Sequence, residues 1–73
     1  MSNRSLDQLV QIVRNGGSLD FHVGTRSTED LVHLVRNMTA NATVILRGVG
    51  TRPTDDLVHI ARNGAGTVIL DLE

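Results

Sequence analysis

The chain has 73 residues, 40% of them hydrophobic and 21% charged, and a formal charge of -1. It contains one aromatic residue, Phe21, and no cysteine. This composition excludes a disulfide framework or Cys-based zinc site, lacks the basic surface that broad nucleic-acid binding needs, and offers no stacking platform for single strands.

A chain this short forms one small domain, which buries only about 60% of the surface of its unfolded form. With no disulfide to reinforce it, association with another subunit is the expected source of added stability. The apolar runs are a few residues long, far short of a membrane span. Met1-Ser-Asn-Arg lacks the basic start and apolar block of a signal peptide. The expected location is therefore cytoplasmic.

The first predicted element is a helix in "RSLDQLVQIVRN", from Arg4 to Asn15. Leu6, Leu9, Val10 and Val13 recur at i, i+3, i+4 and i+7, which is one face of a helix, with Ile12 beside them. Ser5 is the expected N-cap, Asp7 lies in the first turn and Arg14 in the last, each matching the helix dipole. Asn15-Gly16 supplies a left-handed stop. A strand follows in "SLDFHV", 18–23, where Leu19, Phe21 and Val23 alternate with Asp20 and His22.

The next element repeats the first. "VGTRSTEDLVHLVRN", from Val23, and "VGTRPTDDLVHIARN", from Val49, are fifteen-residue segments that differ at four positions. Each predicts a helix, with inward sets Leu31, Val32, Leu34, Val35 and Leu57, Val58, Ile60, Ala61. Gln11, His33 and His59 interrupt the three stripes at one equivalent position and should face solvent. Ser27 or Thr28 and Thr54 are the expected N-caps, Pro53 suits a first-turn position, and Asn37 and Asn63-Gly64 are expected to stop the helices. Strands follow at "TVILRGV", 43–49, and "TVILDL", 67–72, with Val44, Leu46, Val68, Leu70 and Leu72 inward. The second unit has additional residues in "NMTANAT", and one after its strand makes Gly48 a candidate β-bulge.

Aligning Arg4, Arg26 and Arg52 gives three tandem helix-strand units at about 4–25, 26–51 and 52–73. Short connections between alternating helices and strands imply parallel strands with right-handed crossovers. The expected fold is α/β: α-β-α-β-α-β, a three-stranded parallel sheet with its helices on one face, in a small solenoid-like layer.

Two groups of residues invite a function. Gly24-Thr25-Arg26 and Gly50-Thr51-Arg52 lead from a strand end to a helix start, the edge of an open α/β sheet where ligands usually bind. With Arg4 nearby they form a candidate site for an anion or nucleotide phosphate. Against this, each Arg is followed within a turn by acids able to neutralise it, and no complete phosphate-loop or dinucleotide motif is present. A structural role for these arginines is the stronger expectation.

The second group lies on the uncovered side of the sheet, where Asp20, Ile45 and Ile69 should form one row and His22, Arg47 and Asp71 another. The second row resembles a catalytic constellation, but it has no Cys and no activated Ser or Thr, and a flat face offers no pocket. Arg47 and Asp71 are better read as a cross-strand pair. The three histidines do not reach metal-ligand spacing. No catalytic residue, metal or cofactor is expected.

Parallel sheets are normally covered on both faces. The expected function is therefore a non-enzymatic protein-interaction or assembly module that self-associates through the bare face or edge of its sheet, most simply as a homodimer. The interface set is Asp20, His22, Ile45, Arg47, Ile69 and Asp71. The alternative is an anion or nucleotide-phosphate binder using the VGTR loops. A third reading, part of a longer repeat array, ranks lower because the weaker first copy resembles a terminal cap.

Overall fold

The computed structural model describes residues 4–72. Their order is α1 (Leu6–Arg14), β1 (Leu19–His22), α2 (Thr28–Arg36), β2 (Thr43–Arg47), α3 (Thr54–Asn63) and β3 (Thr67–Asp71). The three strands form one parallel sheet in the order β1-β2-β3. The helices cover one face, with α2 packed between α1 and α3. This is the α/β layer that the alternation of 3.6- and 2-residue periods predicts.

The core is apolar throughout. It combines Leu9, Val10 and Val13 of α1 with Leu31, Val32, Leu34 and Val35 of α2 and Ile60 of α3. From the sheet side come Phe21, Val23, Val44, Leu46 and Val49. Val44 and Leu46 are buried while Ile45 is half-buried and Arg47 exposed, so β2 shows its alternate residues to opposite faces. Gln11, His33 and His59 are exposed, as their place in the stripes requires. The additional residues before β2 also enter the core through Met38 and Ala42. The end of α2 and this segment together hold the last connection, since Ala65 N–H donates to the Val35 carbonyl and Thr67 N–H to that of Ala42, each at 3.1 Å.

The last helix-strand pair departs from the expected burial. Of the inward set in α3, Ile60 alone is buried: Leu57 is half-buried, and Val58 and Ala61 are exposed. Val68 and Leu70 are half-buried, and Leu72, expected inside, is exposed just beyond the end of β3. The physical reason is position. No described helix lies beyond α3 and no described strand beyond β3, so side chains covered in the earlier pairs have no cover here.

The helix ends also refine the sequence reading. Ser5 caps α1 in a reciprocal box: its hydroxyl accepts from Gln8 N–H, and the Gln8 side chain accepts from Ser5 N–H, both at 3.3 Å. Ser27 caps α2 by accepting from Asp30 N–H at 3.1 Å. Helix α3 differs, because the N-cap is Pro53 and Thr54 is already helical, leaving no side-chain cap. After α1, the chain turns through Gly16 at φ 93°, with Gly16 N–H donating to the Val13 carbonyl and Gly17 N–H to that of Ile12.

Asn37 and Asn63 do not supply left-handed stops, and no described non-glycine residue has positive φ. Instead Asn15, Asn37 and Asn63 each donate a side-chain amide to the carbonyl four residues back, on Gln11, His33 and His59, all at 2.7 Å. They add a side-chain donor to a carbonyl near each helix end. Gly48 is not a bulge either. The β2 register is one-to-one with both neighbours through Arg47, and Gly48 turns the chain after it at φ 81°. The His22 ring lies where a side chain at Gly48 would stand.

Candidate functional site

The strand register places the two predicted rows on the uncovered face. Asp20, Ile45 and Ile69 stand side by side, as do His22, Arg47 and Asp71. Arg47, on the central strand, reaches both neighbours. Its Nε and Nη2 donate to the two carboxylate oxygens of Asp20 at 2.5 and 2.9 Å, and Nη1 donates to Asp71 Oδ2 at 2.9 Å. The Arg47–Asp71 link is the expected cross-strand pair. The Asp20 fork is diagonal, two residues back on β1, within reach of a side chain as long as Arg.

The Arg47 hydrogen bonds, chiefly, hold the Asp20 carboxyl below its ordinary value of 3.8. Asp20, with Asp71 adding to it, holds the Arg47 guanidinium above its ordinary range. The arrangement is a bridge across three strands and not a poised acid-base set, because both carboxylates face the same cation. His22 stands apart from it: its Nδ1 accepts from Gly24 N–H at 3.1 Å.

The strand-to-helix loops also come together, but their arginines are turned to structural partners. Arg26 Nη2 donates to the Arg4 carbonyl, and Arg52 Nη2 to the Arg26 carbonyl, each at 2.5 Å. Arg52 Nη1 further donates to Thr28 Oγ1, whose hydroxyl donates to Asp56 Oδ2, both at 3.2 Å. Each arginine thus reaches back to the loop before it and ties adjacent helix starts together. The Arg26 guanidinium also lies 5.9 Å from the centre of the Phe21 ring.

The structural role expected for Arg26 and Arg52 therefore has different partners from those predicted. Among the described residues neither forms an ion pair with the acids that follow it. Gly24 and Thr25 are exposed in the first loop, and Gly50 and Thr51 in the second, while Arg26 and Arg52 are half-buried. Arg4 contributes its carbonyl to this series.

His33 and His59 sit exposed at equivalent places on α2 and α3. Among the described residues no three or more His, Cys, Asp or Glu side chains gather into a metal-binding group. No described helix is long and apolar enough to cross a membrane.

Among the described residues Val58, Ile69 and Leu72 are the exposed large hydrophobic ones, on α3, on β3 and just beyond β3. Sequence reasoning expects Ile69 on the bare face but misses the exposure of Val58 and Leu72, both expected inward. The sequence carried no direct sign of this, since Val58 occupies the same apolar stripe as the buried Val10 and Val32. No protein-family model matches the chain, and neither the curated proteins nor the solved structures searched include a match.

Proposed function

We propose that the chain is a non-enzymatic assembly module that self-associates through its sheet. The observation carrying this reading is the exposed apolar surface carried by α3, β3 and the residue just after it. Val58 is 45% exposed, Ile69 44% and Leu72 59%, beside a strand edge with no described neighbour. An unpaired edge presents backbone donors and acceptors to another chain, and apolar side chains next to it add a gain from burial. Ile45 and Ile69 extend the same apolar surface onto the bare face.

The internal pairing of Arg47 also supports contact through Ile45, Ile69 and the edge, because its guanidinium already has two carboxylate partners within one chain. No partner carboxylate is required to neutralise Arg47. The VGTR loops have no comparable observation behind an anion site, since the Arg26 and Arg52 guanidinia already donate to backbone carbonyls.

Ile69→Asp tests the proposal. Because Ile69 is already partly in solvent within one chain, the substitution should leave the helical circular dichroism intact while light scattering reports loss of the assembly. An unchanged particle mass for the folded variant refutes a role for this surface.

A further inference from the structure

We infer that a second copy docks head to tail, its α1/β1 side against the α3/β3 side of the first, continuing the parallel sheet. This rests on the self-association reading above and specifies its geometry. The two sides are the two halves of an interface that the chain already builds twice, between α1 and α2 and between α2 and α3.

Equivalent residues carry the argument. Val10, Val32 and Val58 share one place in the three helices. Val10 is 6% exposed and Val32 7%, and each belongs to a helix with another packed after it; Val58, on the helix with none after it among the described residues, is 45% exposed. The next place in the same stripe behaves alike: Val13 and Val35 are buried and Ala61 is exposed. On the opposite flank the order reverses. Leu34 and Ile60 are buried in helices that have one packed before them, and their equivalent Ile12, on the helix with none, is half-buried. The α3 flank therefore lacks what a following helix supplies, and the α1 flank lacks what a preceding helix supplies.

One copy's Ile12 flank satisfies the other copy's Val58 and Ala61. A two-fold arrangement with β3 against β3 sets Val58 towards its own equivalent and leaves Ile12 uncovered. The strand edges agree with the head-to-tail choice. Within the chain Asp20, Ile45 and Ile69 pair in register, so a second copy's β1 beside β3 extends the parallel ladder without a shift. Such a heterologous contact leaves a free end on each copy, and it closes into a ring or grows as a filament according to the rotation between copies.

The register provides the test. Ser18 lies beside Thr43, whose N–H donates to Ser18 Oγ at 3.0 Å, and Thr43 pairs with Thr67. Continuing this row sets Thr67 next to Ser18 of a second copy at the ordinary strand spacing of about 4.8 Å, within disulfide reach. Both residues are exposed, and the natural chain has no thiol. Ser18→Cys and Thr67→Cys variants, mixed and mildly oxidised, should give a disulfide-linked mixed dimer, with neither variant linking to itself. The double variant should give a ladder of covalent multimers, and Val58→Glu in the Thr67→Cys chain should suppress the mixed dimer. Thr67→Cys linking to itself, or an assembly of normal mass with no mixed dimer, overturns the head-to-tail geometry while leaving self-association standing. A monomeric natural chain, measured alongside, overturns both.

Discussion

Leu31→Ala examines how the core is built. Leu31 is fully buried at the centre of α2, the helix with a neighbour on each side. The substitution removes the equivalent of three carbon groups at about 0.8 kcal/mol each, or about 2.4 kcal/mol of transfer free energy. Neighbours on both sides restrict collapse into the space left, so a cavity contribution brings the expected loss to about 3–5 kcal/mol. A domain of this length has roughly 4–11 kcal/mol of stability in all, so the variant should be marginal or unfolded. Leu57→Ala, at the equivalent but half-buried place on α3, should cost about half as much, and His33→Ala, exposed two residues from Leu31, close to nothing. The assay is urea denaturation followed by far-ultraviolet circular dichroism, because the chain has no Trp or Tyr to report by fluorescence. Protein concentration must be held constant, since an assembly makes apparent stability depend on it. A loss at His33 equal to that at Leu31, or a larger loss at Leu57, refutes the helical phase and the central place of α2.

Two further outcomes follow from the polar ties. Arg52→Gln removes charge-assisted bonds to the Arg26 carbonyl and Thr28, so it should cost about 1–3 kcal/mol in the same denaturation assay; no change would show that the ties between loops add nothing to stability. The Asp20 carboxyl has its folded-state value lowered by Arg47, so its stabilising contribution is complete above the ordinary value of 3.8 and is lost as pH falls through the lowered value. Asp20→Asn should therefore lower the melting temperature at neutral pH, and the difference from the natural chain should shrink in acid below that value; a difference independent of pH would contradict the Arg47 bridge.

The layer was legible in the sequence because its signals are local and repeated. The stripes of Leu9, Leu31 and Leu57, the N-cap serine Ser5 and the alternation in the strand segments each point to one element type. Alignment of the copies also places Asp20 with Ile45 and Ile69, and His22 with Arg47 and Asp71, which is the observed register. What could not be read depends on contacts between residues far apart in the chain. Arg52 has acids three and four positions later, and local reasoning pairs it with them; the folded chain instead brings the Arg26 carbonyl within reach from 26 residues away. The diagonal between Arg47 and Asp20, 27 residues apart, escaped for the same reason. Burial at the last pair is a matter of neighbours: Val58 and Val32 are the same residue in the same stripe, and only the presence of a helix beyond α2 separates them. The asparagines illustrate a different gap, since one residue type serves equally as a left-handed stop or as an amide donor to a helix carbonyl.

Self-association is the central claim, and sedimentation equilibrium of the natural chain from low to high micromolar concentration tests it most directly. The account predicts a mass that rises with concentration above the 7.9 kDa of one chain. A single species of 7.9 kDa across the whole range contradicts it.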